Sequence, residues 1–478
     1  MPTTRRLSLR TPQPTLAQGL ADIQKSQGLT PAFPPEVERA AEAAAARPRL
    51  PEEDRTDIPL ITIDPPGSMD LDQAMHVERN GNGYRVHYAI ADVAAFIAPG
   101  DAIDVEANLR GETLYGADGK IPLHPKVLSE GAASLLPDQE RPALLWTIEL
   151  DPEGEGTTVD VRRARVKSRA RYDYAGVQRE IDGGGAAPMW AVLREIGELR
   201  EQREQRRGGV SLPLPEQEIC IGDDGSWALE FRARHPVEEW NEQISLLTGM
   251  AAAHLMVQGG VGLLRTLPEP EPFVIARLHR TARALGIDWP KQRSYPDFIR
   301  TLDPSDPLHI AMMTACTTML RGAAYVAFDG AVPARSNHYA LAAQYAHVTA
   351  PLRRLVDRYT GEVCLALCAG KPVPQWALDA LPELPTTMRA SAQRGGRYER
   401  AVLDLAEAVT LAPRVGETFE AAVIEVDRDD PKQGDLMLRD PAILAHVTGQ
   451  APLPLGEHIR ARLVEADPDK RTIRFEMA

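Results

Sequence analysis

The sequence predicts an α+β protein, with a large body of mixed sheets and helices, a short helical segment ahead of it and a small β-barrel behind it. Three observations lead there. The apolar strand Leu60–Ile63 runs into Pro65-Pro66-Gly67 and then into alternating carboxylates. Apolar residues recur at helical spacing through 235–256 and 309–327. From residue 413 onward the pattern switches to short strands separated by turn residues. With 478 residues and 43% hydrophobic content the chain can bury a large core, enough for roughly two to four structural units. The expected divisions are 1–48, 49–412 and 413–478.

Residues 1–48 open Thr/Pro-rich and then show two helical patterns, Ala17 to Gln27 and Pro35 to Ala46, the second dense in Ala and Glu. They predict a helical arm or a helix-turn-helix-like cap. Leu60 to Ile63 are β-formers, and Pro65, Pro66 and Gly67 end the strand by removing donors and permitting unusual φ. Asp70 and Asp72 lie two apart, so an extended segment projects both carboxylates to one face, where Asp64 can converge with them. Three ionised carboxylates in one small volume call for a cation, and hard oxygen ligands suit Mg²⁺ or Mn²⁺. Standing alone, the same peptide also reads as a solvated acidic turn.

Tyr84 to Val93 reads as a buried strand. Thr157 to Tyr172 reads as a long one, with Arg163, Arg165, Lys167, Arg169 and Arg171 on one face. That stripe suits either a phosphate backbone or plain solvent, with equal weight. The helix Leu193 to Arg207 is mixed in sign and expected to be solvated. His235 to Met256 and His309 to Ala327 are expected as central packed helices. Glu239 and Glu242 on the first of these fit solvent or Arg pairing better than a metal.

In Tyr345 to Asp357, Pro351 fits a first helical turn capped by Thr349 or its neighbour. Arg353 and Arg354 would then project at the positive end of a helix, where a phosphate is held; the bland alternative pairs them with Asp357 or Glu362. His347 reads as a structural histidine. After Leu381 to Pro385, a helix carrying Arg389, Arg394, Arg397 and Arg400 extends to about Val409. Five strands in 413–478 then fit an OB barrel, with Phe419 and Phe475 as its only aromatics, so base stacking there should be weak.

A net charge of −14 argues against coating nucleic acid by bulk attraction, though not against a local groove. Only eight of the 54 basic residues are lysines. No run approaches the roughly 18 apolar residues of a membrane helix, and Arg5 and Arg6 have no apolar stretch behind them. The expectation is a cytoplasmic protein with no membrane partner. Cys220, Cys316, Cys364 and Cys368 lack zinc spacing and are expected as buried free thiols.

The segment Thr62-Ile63-Asp64 to Ala74 resembles the first active-site signature of the ribonuclease II/R (RNB) family of 3′→5′ exoribonucleases, T-I-D, a turn, then D-x-D-D-A. Asp64, Asp70 and Asp72 match its first three acidic positions, while the fourth is Gln73. Further blocks resemble the family in order. Tyr84 to Val93 ends in A-D-V, and Thr113-Leu114-Tyr115 is followed by Ile121-Pro122-Leu123-His124-Pro125 and Leu128-Ser129-Glu130. Tyr345 to Asp357 resembles Y-x-H-F-T-S-P-I-R-R-Y-x-D. The closing barrel resembles the S1 domain of these enzymes, whereas no leading cold-shock barrel fits before Asp64.

The resemblance implies a metal-dependent hydrolase that degrades single-stranded RNA from the 3′ end to 5′-mononucleotides, expected as a monomer. Asp64, Asp70, Asp72 and Gln73 would hold Mg²⁺ or Mn²⁺, and Asp70, Asp72 and Arg353 would carry catalysis. Arg353 would contact the scissile phosphate, and Tyr115 would stack on a base. Arg354, Arg394, Arg397, Arg165 and Lys167 are the further candidate RNA contacts. A neutral Gln73 should weaken metal binding if it is a ligand, and Asp in its place should lower the Mg²⁺ requirement. The rival reading, prompted by Gln73, is an RNA-binding protein that keeps the fold without turnover. A small-molecule phosphatase would leave the terminal barrel unexplained.

Overall fold

The computed structural model describes residues 14–116, 119–184, 187–212, 216–221, 227–232, 234–304, 306–427, 429–438 and 443–478. Five strands form a closed barrel: β1 Leu60–Ile63, β2 Gln73–Asn80, β3 Gly83–Ala91, β4 Glu140–Leu150 and β5 Gly156–Tyr172. Neighbours in that order are antiparallel, and the barrel closes by parallel pairing of β1 with β5, from Leu60 opposite Ser168 to Ile63 opposite Tyr172.

Period-two alternation gives each strand two buried faces. Met75, Val77, Val86, Tyr88, Ile90, Trp146 and Ile148 pack with Leu193, Ile244, Val356 and Val363 from three helices, Pro188–Arg207, Pro236–Gly259 and Leu355–Cys368. The alternate positions Ala74, Ala89, Ala91, Ala143, Leu145, Ala164 and Val166 join a second cluster with Val37 and Ala41.

The first two helices, Pro14–Ser26 and Pro35–Ala45, serve different cores. Leu20 and Ile23 pack with Tyr398, Val402 and Leu405, whereas Val37 and Ala41 pack beside the barrel. They therefore do not form a helix-turn-helix unit of their own; residues 1–13 lie outside the described residues. Gly19 permits the first docking, because a Cβ there would sit 2.7 Å from a Leu405 methyl.

Two further expectations are corrected. The helix Pro188–Arg207 is not solvated all round, since Leu193, Ile196, Arg200 and Glu204 are buried. Arg200 donates to the Gly154 carbonyl at 3.0 Å, and Glu204 accepts from Gln243 at 3.0 Å, so its inward charges have partners. The stretch 309–327 is not one helix. Pro307–Cys316 is helical, a short turn follows, and Ala324–Asp329 is a strand paired with Val261–Thr266. Gly322, at φ +94°, breaks the pattern, and Tyr325, Val326 and Phe328 are strand formers.

The Arg-bearing helix runs Leu384–Leu411 and leads into a closed five-stranded barrel, Thr418–Val426, Gln433–Leu438, Ile443–Thr448, His458–Asp467 and Thr472–Met477. Phe419 and Phe475 meet edge-on inside it, 5.7 Å between centroids, and both are buried. They are core residues, which leaves no aromatic of that barrel as a stacking platform. Cys316 and Cys364 are buried free thiols, Cys368 is half-buried, and the Cys220 side chain lies outside the described residues. Among the described residues no helix is long and apolar enough to cross a membrane.

His124 is buried, its Nε2 donating to the Pro351 carbonyl at 3.3 Å while Nδ1 has no partner. Burial, reinforced by Arg358, lowers its pKa to about 3. The unfolded imidazole takes a proton below its ordinary pKa of 6.5 that the folded one refuses, so this contribution is present above that pH and lost as pH falls toward the folded pKa. Each pH unit in that window should cost about 1.4 kcal/mol. Urea titrations at several pH values between the two should show a shallower acid loss for His124→Leu; equal slopes would rule the assignment out.

Candidate active site

The acidic loop hangs between β1 and β2. Asp64 N–H bonds to the Tyr172 carbonyl at 3.1 Å, Gly67 makes the turn at φ +81°, and Ser68 N–H closes it on Pro65 at 3.1 Å. Ser134, fully buried, then clamps the far side. Its hydroxyl donates to the Met69 carbonyl at 2.6 Å and accepts from Leu71 N–H at 2.9 Å. Sequence reasoning missed Ser134, and its only signal there is its place just after the Leu128-Ser129-Glu130 block.

The second block meets this loop at Asp72. Asp72 is 5% exposed; its Oδ1 accepts from Leu352 N–H at 2.7 Å and its Oδ2 lies 3.5 Å from Arg353 Nε. Burial pushes the Asp72 carboxyl well above the usual range against the pull of Arg353 and the Leu352 N–H, and nearby Asp70 pushes it further up. The Arg353 side chain is 48% exposed, so it reaches Asp72 and still faces solvent.

Arg353 is not on a helix as the sequence suggested. The helix begins at Leu355, and 350–354 form the turn before it. Asp357 builds that turn, accepting from Ala350 N–H at 2.7 Å and pairing with both faces of the Arg354 fork at 2.5 and 2.7 Å. Arg354 is thus committed to Asp357, as the bland reading had it. Thr113 N–H bonds to the Arg353 carbonyl and Leu355 N–H to the Gly111 carbonyl, which stitches on the segment carrying Tyr115. Tyr115 is half-buried; burial raises its pKa, Arg353 opposes, and Asp70 and Asp72 add to the rise. Its hydroxyl therefore feels the same three charges.

Gln73 faces inward rather than to the loop. Its Nε2 donates to the Thr349 carbonyl at 2.5 Å and its Oε1 accepts from Tyr88 at 2.8 Å, while Thr349 Oγ1 meets Ser245 Oγ at 2.9 Å. His347 is half-buried; its Nδ1 pairs with Tyr325 at 2.7 Å, and desolvation, reinforced by Arg354, holds its pKa well below the ordinary value.

Lys120, which sequence reasoning also missed, places Nζ 2.8 Å from Asp70 Oδ1 and 3.0 Å from Glu130 Oε1. Burial alone would lower the ammonium pKa, but Asp70 and Glu130 outweigh it and raise it. With Lys120 on Asp70 and Arg353 beside Asp72, no group of three His, Cys, Asp or Glu among the described residues is gathered closely enough to hold a metal ion as it stands. Asp64, Asp70 and Asp72 are nonetheless hard oxygen donors within one short loop, the donor type that divalent cations take.

The candidate RNA contacts separate. On β5, Arg163 pairs with Asp92 at 2.6 Å and with Glu362, Arg165 with Asp54 at 2.5 Å and Glu140 at 3.3 Å, and Lys167 with Asp138 at 3.9 Å. Arg169 reaches the Thr56 carbonyl, and Arg171 the Ser68 carbonyl. The stripe fastens the barrel to the chain around it. Arg394 donates to the carbonyls of Leu109 and Arg110, at 2.9 and 2.7 Å, where helix Ala102–Arg110 ends. Arg397 is exposed.

A family model for the RNB domain matches residues 52–366, and one for the RNase II-type exonuclease C-terminal S1 domain matches 417–478. Ribonuclease R of Escherichia coli (strain K12) is 26% identical over 427 residues, covering 82% of this chain and 51% of that protein. Exosome complex exonuclease RRP44 homolog A of Arabidopsis thaliana is 28% identical over 326 residues, covering 64% and 34%. The chain thus spans about half or less of the length of these relatives.

Among solved structures, Mycoplasma genitalium RNase R in complex with ribose methylated single-stranded RNA is similar at TM-score 0.86 and 18% identity, covering 97% of this chain and 78% of that one. Yeast Ssd1, a pseudonuclease, is similar at 0.71 and 16%, covering 96% and 58%. These likenesses show the fold. The RNB match takes in well over half of the chain, and on that ground the chain belongs to the RNB family.

Proposed function

We propose that this chain is a metal-dependent 3′→5′ exoribonuclease that hydrolyses single-stranded RNA to 5′-mononucleotides, working as a cytoplasmic monomer with the divisions 1–48, 49–412 and 413–478. The observation that carries the reading is the apposition of Asp72 and Arg353, a buried carboxylate against a half-exposed arginine side chain, at the junction of the two signature blocks. The similarity to proteins named ribonuclease R, one of them in complex with single-stranded RNA, supports it.

In this reading Arg353 offers its open edge to the scissile phosphate, where a planar fork can stabilise charge that builds on two oxygens. The Leu352 N–H and the Arg354–Asp357 pair keep that edge fixed. A divalent cation, Mg²⁺ or Mn²⁺, held by Asp64, Asp70 and Asp72 would supply the Lewis acidity that makes water a nucleophile at neutral pH. Tyr115 stacks on a base beside the carboxylates and sets the register of the 3′ end, and Arg397 remains a backbone contact. Gln73 acts as the tie between the barrel and Thr349 rather than as a ligand. The second reading, an RNA-binding protein without turnover, draws on Lys120 bound to Asp70 and on the likeness to a pseudonuclease.

One assay separates the two readings. RNA labelled at its 5′ end should shorten stepwise with Mg²⁺ or Mn²⁺ and stop shortening in EDTA. Asp72→Asn should lower the rate at least about 100-fold with RNA affinity nearly unchanged, as expected for a group acting in the chemical step. A fully active Asp72→Asn protein would sink the catalytic reading.

Direction is tested by the substrate. A 3′-phosphate or a blunt 3′ duplex should slow degradation, DNA of the same sequence should resist, and circular RNA should stay intact. Fragments from the circle would mean internal cleavage.

For Gln73, replacement by Leu removes the acceptor of Tyr88 and strands the buried Thr349 carbonyl, at a cost of about 1–3 kcal/mol for the carbonyl left unpaired. Chemical denaturation should show that loss, while the Mg²⁺ concentration for half-maximal rate stays within about twofold of wild type. A several-fold higher requirement would return Gln73 to the ligand set.

A further inference from the structure

Segment 272–293 carries charge of the opposite sign to the chain as a whole. It contains Arg277, Arg280, Arg283, Lys291 and Arg293 and a single carboxylate, Asp288, in a protein of net charge −14. Helix Pro272–Ala284 holds the three arginines before Lys291, and the loop after it holds Lys291 and Arg293. Arg280, Arg283, Lys291 and Arg293 are exposed, and among the described residues none of them has a carboxylate within ion-pair distance. The cations of β5 differ in this respect, since Arg163 and Arg165 are each tied to carboxylates.

Beside these charges lies a stack of rings. Trp289 stacks on Phe298, 4.0 Å between centroids and 1° from parallel, and on His279 at 3.9 Å and 27°. Phe298 is fully buried and His279 half-buried, so the run of rings ends at the surface on an imidazole. Trp289 Nε1 donates to the Arg293 carbonyl at 3.0 Å, which ties the loop that carries the cations to the stack. Burial, then Arg283 and Lys291, lowers the His279 pKa, so the outer ring is uncharged at neutral pH. Leu278 and Phe298 pack in one cluster with Ile424 and Met437 of the terminal barrel. That barrel keeps both of its phenylalanines in its own core, and a surface ring stands next to it instead.

An uncharged flat ring at the surface, bordered by cations without counter-charges, matches single-stranded nucleic acid: a base stacks on the ring and phosphates meet the cations. An acidic protein segment would use the cations and leave the ring idle. We propose that His279, with Arg280, Arg283, Lys291 and Arg293, forms an RNA contact outside the acidic loop, stacking one base of a single strand and holding the adjoining phosphates beside the terminal barrel. The choice of RNA rests on the exoribonuclease reading. The contact sets affinity and leaves the chemical step to the acidic loop.

The test is binding of fluorescein-labelled polyuridylate to the full chain in EDTA, read by anisotropy over a series of salt concentrations. For single strands, the logarithm of affinity falls against the logarithm of salt by about 0.7 for each phosphate neutralised. Arg280→Gln, Arg283→Gln and Lys291→Gln combined should flatten that slope by about 2. His279→Ala should weaken binding about tenfold with the slope unchanged, and His279→Phe should keep wild-type affinity. Bromouridine placed in the RNA should crosslink to segment 272–293 of the unsubstituted protein, a result that does not depend on any variant folding. A crosslink that misses this segment, an unchanged slope in the triple variant, or equal losses for His279→Phe and His279→Ala would overturn the proposal. Polyaspartate that binds as tightly as polyuridylate and weakens equally in the triple variant would assign the patch to an acidic protein and overturn it as well. Shortening of RNA with Mg²⁺ or Mn²⁺ is scored apart: binding at the patch without shortening removes the nuclease reading and keeps this one, and shortening with an unchanged triple variant does the reverse.

Discussion

The carboxylate of Asp72 is the point on which the site depends. It belongs to the loop that joins the first two strands of the first barrel, and a backbone N–H and a guanidinium that lie some 280 residues further on satisfy it. A buried carboxylate with only one of those partners would be costly, so the two blocks are held together by a penalty that either would suffer alone. The geometry at Arg353 follows from this, because the turn that presents it is pinned by Leu352 on one side and by the Arg354–Asp357 pair on the other. Gln73 repeats the arrangement one residue later with neutral groups, carrying the tie from Tyr88 through to Thr349.

Much of this was legible in the sequence where the signal is local. Leu60–Ile63, the Pro-Pro-Gly turn and the spacing of Asp70 and Asp72 are set by neighbouring residues, and the five closing strands announce themselves by turn residues at regular intervals. Asp357 as the partner of Arg354 was also readable, three residues away on the chain. What was not readable depends on distant partners. Lys120 is a single lysine in an apolar context until Asp70, fifty residues earlier, is placed against it. The cations of β5 looked like a possible phosphate track because nothing in their alternation names Asp54, Asp92 or Glu362.

Short apolar runs failed for another reason. Residues 309–327 carry enough hydrophobic residues for a helix, but apolar content alone cannot say whether Ala324–Asp329 winds or pairs; Val261–Thr266 decides it. The polar face of Pro188–Arg207 misled in the opposite direction. Its buried Arg200 and Glu204 are tolerated because a carbonyl, an amide and a hydroxyl wait for them inside.

The terminal barrel shares one continuous apolar cluster with the long helix Leu384–Leu411 and with Leu20 and Ile23, while Ile424 and Met437 on the same barrel pack into another with Leu278, Phe298 and Met312. A module gripped by oil on two flanks has no hinge of its own. To swing outward it would have to expose both seams at once, and at roughly 25 cal/mol for each Å² of apolar surface laid bare, thermal agitation would rarely supply the energy. The barrel therefore behaves as a fixed wall of the body rather than as a clamp that opens and shuts.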